Sequence, residues 1–181
     1  MSFRRLPTEI EGVVLIEPTV HGDERGFLVE AFRENELRKL GIDVGFVQEN
    51  HSRSTGRVLR GIHMQRGQDK LVRCPKGRIF DVAVDLRPDS PTYKRWEGYE
   101  LDDVGHRQLF IPDGFGHGFC VLSDEADVLY RLSSYYDPEL ESGIAWDDPE
   151  IAIHWPISDP VLSERDRNAP KLAEVAASLQ S

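Results

Sequence analysis

The sequence predicts an all-β protein, folded as a sandwich or barrel of antiparallel strands. Short runs rich in β-branched and aromatic residues recur at roughly even spacing along its 181 residues. Turn residues separate these runs, and helical periodicity is almost absent. Many short strands with this punctuation are typical of sandwiches and barrels. A chain of this length can bury a core without disulfides or structural metal, so we expect a single domain over residues 1–181.

Ten segments have the composition of strands. In chain order they are Gly12–Glu17, Phe27–Phe32, Gly45–Val47, Val58–His63, Leu71–Arg73, Arg78–Leu86, Arg95–Leu101, Arg107–Ile111, Gly118–Leu122 and Asp127–Leu132. Gly, Pro and Asp favour tight turns. They mark the sharpest reversals, at Gly22-Asp23, Pro75-Lys76-Gly77, Arg87-Pro88-Asp89 and Pro112-Asp113-Gly114.

Two segments have helical patterns. Residues 34–41 place Leu37 and Leu40 at helical spacing and end at Gly41, a common helix stop. Apolar residues repeat at the same spacing from Lys171 to Leu179. We therefore expect one short surface helix near residues 34–41 and one C-terminal helix.

Composition limits the partners and the location of the protein. A net charge of −10 argues against nonspecific binding to nucleic acid or to an anionic membrane surface. Cys74 and Cys120 lie in apolar runs without zinc or CxxC spacing, which predicts buried thiols and no disulfide framework. The N-terminal residues are charged, and the first apolar run, residues 12–16, is too short for a signal peptide or a membrane span. We expect a cytoplasmic protein.

Positive charge is concentrated in one stretch of this acidic chain. Between His51 and Arg78 lie eight of the 22 basic residues, with Asp69 as the only acid. Such a cluster predicts a field that attracts a small anion. A solvated strand face is the alternative for each of these side chains.

His63 is the first candidate for chemistry, with Arg60 three residues before it and Lys70 seven residues after it. Histidine has an ordinary pKa of about 6.5 and is well suited to act as a general base. His117 follows the Pro112-Asp113-Gly114 turn, where backbone can approach a ligand closely. Strand alternation places Arg60 and His63 on opposite faces unless a bulge re-aims one of them. A hydrogen-bonded structural histidine is the alternative.

The histidine spacing does not favour a metal site. Metal-dependent cupins commonly carry a His-x-His pair, but Gln65 follows His63 by two positions and Phe119 follows His117 by two. We expect no metal, although a site built from scattered histidines is left open.

Several specific motifs occur in order along the chain. They are Gly22-Asp23-Glu24-Arg25-Gly26-Phe27 with Glu30, Phe46-Val47-Gln48-Glu49-Asn50-His51-Ser52, Leu59-Arg60-Gly61-Ile62-His63, Lys70-Leu71-Val72-Arg73, Phe80-Asp81-Val82-Ala83-Val84-Asp85, the segment from Pro112 to Phe119, and Leu129-Tyr130 followed by Tyr135-Tyr136. With these motifs the chain resembles, from about Gly12 to Pro170, the dTDP-4-dehydrorhamnose 3,5-epimerase family, metal-free sugar-nucleotide epimerases of the cupin superfamily.

The resemblance implies a cupin-type double-stranded β-helix, or jelly roll. It implies an isomerase that inverts C3 and C5 of a dTDP-4-keto-6-deoxyhexose, converting dTDP-4-dehydro-6-deoxyglucose to dTDP-4-dehydrorhamnose in dTDP-rhamnose biosynthesis, without a cofactor. The family forms two-fold homodimers in which residues of the N-terminal strands often pass to the partner subunit, so we expect a homodimer with no nucleic-acid or membrane partner.

The resemblance also implies roles for individual residues. His63 matches the catalytic base, Asp166 the carboxylate that orients it, Tyr130 the general acid on the other face of the sugar, and Lys70 the cation beside the C4 oxygen. Matches to substrate-contacting positions are Arg25, Phe27, Glu30, Gln48, Asn50, Arg60, His117, Tyr136, Glu141 and Arg165, with the arginines expected to meet the diphosphate. Tyr135 or Tyr136 is expected to stack on the nucleobase, with packing in the core as the alternative for this aromatic pair. Without the resemblance, Tyr130 would be interpreted as a core tyrosine, and Glu30, Glu141 and Asp166 as solvated carboxylates.

The chain departs from the family pattern at a few positions. Only Gln68-Asp69 separate Gly67 from Lys70, where familiar members carry about three more residues, so the loop before Lys70 is short. Met64, Gly116 and Arg165 also differ from the usual residues.

Three alternatives to this function are left open by the sequence. They are a 3-only or 5-only epimerase on a related nucleotide sugar, a metal-dependent cupin, and a non-catalytic module that binds sugar nucleotides.

Overall fold

The structure, a computed structural model, describes residues 3–180 of the backbone and side chains 3–176. Within this range the chain forms thirteen strands and three short helices. The strands are β1 (Phe3–Leu6), β2 (Val14–Pro18), β3 (Val20–Asp23), β4 (Gly26–Val29), β5 (Gln48–Thr55), β6 (Leu59–Gln65), β7 (Lys70–Lys76), β8 (Arg78–Asp85), β9 (Trp96–Asp102), β10 (Gln108–Ile111), β11 (Phe115–Val121), β12 (Glu125–Leu132) and β13 (Glu141–Gly143). The helices are α1 (Glu34–Lys39), α2 (Glu164–Arg167) and α3 (Leu172–Gln180).

The strands form two main sheets and one hairpin. The six-stranded sheet has the order β1-β2-β10-β7-β12-β5, the five-stranded sheet has the order β13-β6-β11-β8-β9, and β3 pairs only with β4. From β5 to β8, and again from β9 to β13, successive strands alternate between the two main sheets. This alternation is that of a jelly roll, so the all-β fold class expected from the sequence is confirmed.

The main core lies between the two sheets. Val72 and Val128 point inward from the six-stranded sheet, and Ala83 and Phe119 meet them from the five-stranded sheet. Because side chains alternate across a strand, every second residue of each central strand reaches this layer. Burial of each large apolar side chain contributes roughly 1.5 to 3 kcal/mol.

Both outer faces of the sandwich are partly covered. On the five-stranded sheet, Val82 and Val84 pack with Trp155 and with Leu172 of α3. On the six-stranded sheet, Leu71 packs with Leu37 of α1, which begins and ends close to the predicted bounds. None of the helices among residues 3–180 is long and apolar enough to cross a membrane.

Some predicted elements are wrong in detail. Residues 45–47 are not a strand, because the strand begins at Gln48 and continues through a polar stretch without apolar alternation. The predicted strand Phe27–Phe32 ends at Val29. The sequence prediction missed β1, β3, β13 and α2, which are four residues long or shorter and carry too few buried side chains for a periodic signal.

Candidate active site

A cleft of about 410 Å³ opens between the two sheets at one end of the sandwich. Its walls come from both sheets, and its volume is in the range of small-molecule sites. Ten of the predicted site residues line it, namely Gln48, Asn50, Arg60, His63, Lys70, His117, Tyr130, Tyr136, Glu141 and Arg165. An eleventh, Asp166, contacts His63 from behind.

A bulge in β6 turns both Arg60 and His63 toward the cleft. Along β11, Phe119 pairs with Arg60 and His117 pairs with His63, so three steps on β6 match two on β11. The extra residue reverses the normal alternation between Arg60 and His63. Gly61 makes this possible: its φ is +142°, and a Cβ there would lie 2.6 Å from the Gly118 Cα. The sequence did not decide whether a bulge re-aims one of these two side chains, and the structure contains such a bulge.

His63 and Asp166 form a close pair. The Nε2 atom of His63 lies 2.5 Å from Asp166 Oδ1, and only 4% of the Asp166 side chain is exposed. Burial raises the pKa of Asp166, but the hydrogen bonds with His63 and Ser163 outweigh it and leave the pKa below its ordinary value. A carboxylate at Nε2 keeps the proton of the neutral ring there. The lone pair of Nδ1 is then free to accept a proton.

Local structure explains how Asp166 reaches a histidine 103 residues away. Val161 forms a parallel bridge with Val58, and its carbonyl accepts a hydrogen bond from Leu59 N, so the C-terminal segment lies beside the start of β6. Ser163 then caps α2: its Oγ accepts from Asp166 N at 3.0 Å and donates to Asp166 Oδ2 at 2.8 Å. These bonds hold the carboxylate against the imidazole.

A second pair of the same kind lies on the same wall. His117 Nε2 is 2.8 Å from Asp81 Oδ1, and both side chains are buried. The other carboxylate oxygen of Asp81 is buried and has no hydrogen-bond partner among the described residues. The sequence prediction missed Asp81, although an acid facing inward in the apolar run of β8 was a usable signal.

Lys70 is a buried cation in the cleft. Its Nζ donates a hydrogen bond to the His63 carbonyl oxygen at 3.3 Å. Burial lowers the pKa of Lys70 to about 8, while the negative charges of Glu141 and Asp81 oppose this shift. The short loop before Lys70 therefore does not keep its side chain out of the cleft.

Tyr130 lies on the wall opposite His63. It belongs to β12 of the six-stranded sheet, between Asn50 of β5 and Val72 of β7. Its ring packs against the main core. The same side chain also lines the cleft. Tyr130 can therefore pack against the core and take part in the site at the same time.

Polar residues organise the cleft mouth. Gln48 accepts a hydrogen bond from Tyr136 N and donates to Asn50 Oδ1, both at 3.0 Å. Glu141 accepts from the Tyr136 hydroxyl at 2.7 Å and pairs with Arg165 at 2.9 Å.

Arg25, Phe27 and Glu30 are not brought to the cleft of their own chain. Arg25 and Phe27 lie in the exposed β3–β4 hairpin, where Arg25 pairs with Asp23 and 60% of Phe27 is exposed. Glu30 follows the hairpin and pairs with Arg33 at 3.5 Å. The placement expected from the resemblance is thus not met within one chain, because the hairpin is a separate sheet.

The basic cluster of the sequence is dispersed in the fold. Of its eight members, only Arg60 and Lys70 line the cleft. Arg53 is bound to Asp127 at 2.6 Å and Lys76 to Glu125 at 2.7 Å. For these two side chains the solvated-face interpretation is correct.

The cleft is also lined by residues that were not predicted to contact the substrate. They are Ser52, Met64, Gln65, Gln68, Phe119 and Leu132. Elsewhere, Cys74 and Cys120 are buried as expected, and burial raises the pKa of both thiols to about 12. Within the described part of the chain, no three His, Cys, Asp or Glu side chains converge in a way that could hold a metal ion.

Comparison with known proteins identifies the family of this chain. The family model described as dTDP-4-dehydrorhamnose 3,5-epimerase matches residues 7–174. The chain belongs to this family. Among its epimerase relatives, the dTDP-4-dehydrorhamnose 3,5-epimerase of Methanothermobacter thermautotrophicus is 50% identical, with 96% of each chain covered. The dTDP-4-dehydrorhamnose 3-epimerase of Streptomyces niveus is 45% identical, covering 95% of this chain and 85% of the relative.

A solved epimerase structure has the same fold. It is the crystal structure of dTDP-6-deoxy-D-glucose-3,5-epimerase from Legionella pneumophila, in complex with dTDP-4-keto-L-rhamnose. Its TM-score is 0.94 and its identity 45%, with 98% of this chain and 96% of that chain covered. The jelly-roll fold expected from the sequence is therefore also the fold of a solved epimerase.

Proposed function

We propose that this chain inverts C3 and C5 of a dTDP-4-keto-6-deoxyhexose, forming dTDP-4-dehydrorhamnose. One observation carries the proposal: His63, with Asp166 behind it, and Tyr130 project into one cleft from opposite sheets. A base and an acid on two faces of a bound sugar are what inversion of a carbon requires.

The first step is removal of a proton next to the ketone. The C4 carbonyl acidifies the hydrogens on C3 and C5, and His63 Nδ1 takes one of them while the C–H electrons become an enolate. Asp166 stabilises the imidazolium that forms. The Lys70 ammonium stabilises the charge that develops on the C4 oxygen, an effect that can be worth about 3 kcal/mol in a preorganised site.

The second step returns a proton from the other face. The Tyr130 hydroxyl donates its proton to the enolate carbon, which restores the ketone and inverts the carbon. Exchange with solvent then reprotonates Tyr130 and deprotonates His63. The same groups repeat the cycle at the second carbon.

The remaining cleft residues fit a nucleotide sugar. Arg60 supplies a cation for the diphosphate, and guanidinium groups bind phosphate oxygens well. Tyr136 and its exposed neighbour Tyr135 provide aromatic surface at the mouth for a nucleobase. The ligand named in the Legionella structure is a dTDP-linked keto sugar of this kind.

We also propose a two-fold homodimer in which the β3–β4 hairpin reaches the partner subunit. The hairpin exposes Phe27 and Leu28, with 60% and 72% of each residue accessible. Burying this surface against a partner is favourable, and it would give Arg25, Phe27 and Glu30 a site to contact. A cytoplasmic location stays a prediction.

Hydrogen exchange tests the reaction directly. The protein is incubated with dTDP-4-keto-6-deoxyglucose in deuterated water, and the ring hydrogens are followed by NMR. Exchange at both C3 and C5 is the expected result, and exchange at neither would refute the proposal for this substrate.

Two variants test the roles of the residues. His63→Ala is expected to abolish exchange at both carbons, because it removes the imidazole that Asp166 orients to take the proton. Tyr130→Phe is expected to retain some exchange while losing inversion, because proton removal does not need its hydroxyl. Exchange that survives in His63→Ala would remove the assignment of the base.

A 3-only epimerase is the second candidate, favoured by the Streptomyces niveus relative. Exchange at C3 without exchange at C5 would identify it in the same experiment. A metal-dependent cupin predicts loss of activity with a chelator, and a binding module predicts affinity without exchange.

A further inference from the structure

Asp69, the last residue of the short loop between β6 and β7, forms hydrogen bonds with two other segments of the chain. Its main-chain N donates to Ser133 Oγ at 2.7 Å, and Ser133 Oγ donates to the carboxylate Oδ2 at 2.8 Å. Ser133 N donates to the Asp69 carbonyl oxygen at 3.1 Å. The other carboxylate oxygen, Oδ1, accepts from Asp113 N at 3.1 Å. One residue therefore takes part in four hydrogen bonds.

These bonds join the two strands that flank β7. Lys70, the first residue of β7, pairs with Ile111 of β10 on one side and with Leu132 of β12 on the other. Asp113 follows the end of β10, and Ser133 follows the end of β12. The Asp69 carboxylate therefore bridges both neighbouring strands directly before Lys70.

The Lys70 ammonium depends on this backbone for its position. Its hydrogen bond to the His63 carbonyl is long, at 3.3 Å, and the opposite charges that act on it are not bonded to it. A displacement of the main chain at residue 70 therefore moves the ammonium. The titratable and charged groups that face it from the surrounding elements are Asp81, Glu141, Arg165, His63, His117 and Tyr130.

We propose that Asp69 is a positioning residue, which holds Lys70 at the depth in the cleft where its ammonium meets the C4 oxygen of the substrate. The catalytic consequence rests on the proposed function. The effect of Asp69 on Lys70 does not, because it is present in the protein without substrate.

The decisive measurement is an NMR titration of the Lys70 side chain in protein carrying 13C at the lysine ε position. The Lys70 signal is assigned by its loss in Lys70→Arg. Asp69→Ala removes the two carboxylate bonds directly before Lys70. Water is then expected to gain access to the amine, so the titration midpoint is expected to rise by about one pH unit. The kcat for epimerisation is expected to fall about tenfold, because a displaced Lys70 ammonium stabilises the transition state less well. The KM is expected to change less than about threefold.

Two variants control for a merely structural effect. Asp69→Asn is expected to restore most of kcat and the midpoint, because its amide oxygen still accepts from Asp113 N and its amide nitrogen reaches Ser133 Oγ. Asp103→Ala removes a comparable bond, from Gly77 N at 2.7 Å, just beyond the other end of β7. It is expected to leave both the Lys70 midpoint and kcat unchanged.

An unchanged Lys70 midpoint in folded Asp69→Ala overturns the proposal, whatever the activity. If Asp69→Ala does not fold, Ser133→Ala takes its place, because it removes the hydroxyl that bonds to Asp69. An unchanged Lys70 midpoint in folded Ser133→Ala then overturns the proposal. The two proposals fail separately: a wild-type protein without exchange at C3 or C5 refutes the epimerase, while the NMR titration still tests Asp69.

Discussion

Lys70→Met is expected to make the folded protein more stable and the enzyme much slower. Burial lowers the pKa of Lys70 from 10.5 to about 8. One pKa unit corresponds to about 1.4 kcal/mol, so keeping the ammonium charged in the fold costs about 3 kcal/mol. Methionine has a similar length and no charge, and it loses only the hydrogen bond to the His63 carbonyl, worth about 1 kcal/mol. The expected net gain in the free energy of unfolding is about 2 kcal/mol at pH 7.

The gain has a defined dependence on pH. Below about pH 8 Lys70 is protonated in both the folded and the unfolded state, so the full cost is present. Between about pH 8 and 10.5 the unfolded state binds more protons than the folded state, and the stability of the wild type rises with pH. The advantage of Lys70→Met is therefore largest at pH 7 and disappears above about pH 10.5.

Urea denaturation at pH 7 and at pH 10 measures both effects. Lys76→Met is the matched control, because Lys76 lies on the same strand, is half exposed and pairs with Glu125. Its free energy of unfolding is expected to change by less than about 1 kcal/mol, similarly at both pH values. A Lys70→Met protein that is less stable than the wild type at pH 7, or a gap that does not shrink with pH, would refute the reasoning. The kcat of Lys70→Met is expected to fall by about 10²- to 10³-fold.

Three further predictions concern the His63–Asp166 pair, the charge of Lys70 and the bulge in β6. Asp166→Asn should lower kcat by about 10²- to 10⁴-fold, because an amide no longer holds the proton of His63 on Nε2; near-normal kcat in steady-state assays would contradict this. Turnover should fall as pH rises through about 8, where Lys70 loses its proton, and a flat pH–rate profile to pH 9.5 would argue against that role. Gly61→Ala should destabilise the protein by about 2 to 4 kcal/mol, because the new Cβ would lie 2.6 Å from Gly118 Cα at a φ of +142°. Thermal denaturation measures the last effect, and an unchanged Tm would contradict the need for glycine in the bulge.

The accuracy of the sequence-based predictions followed the strength of local periodicity. Strands such as β8 and β12 alternate between core and outer faces, so their composition identified them. The strand β5 carries Gln48, Asn50 and Ser52 toward the cleft in place of apolar residues, so periodicity gave no signal there. The functional demand for polar inward-facing side chains is what concealed this strand.

Site residues close together in the sequence were easier to assign than residues that only the fold brings together. Arg60, His63 and Lys70 were grouped from their spacing alone, whereas Asp166 was assigned only through the family resemblance. Asp81 went unnoticed because nothing in its spacing links it to His117, which it meets across paired strands. Contacts of this kind depend on which strands pair and in which register, and the spacing of residues within a single strand does not specify the partner.

Three properties could be predicted from the amino-acid sequence: the fold class, the residue types available for proton transfer and their order along the chain. These follow from composition, turn chemistry and local spacing, which are properties of neighbouring residues. Two further properties became visible in the folded chain: a bulge turns Arg60 and His63 to the same side, and His63 and Tyr130 line one cleft from two sheets. The physical reason is that the direction of a side chain depends on strand register and sheet packing, which arise from contacts between residues far apart in the chain.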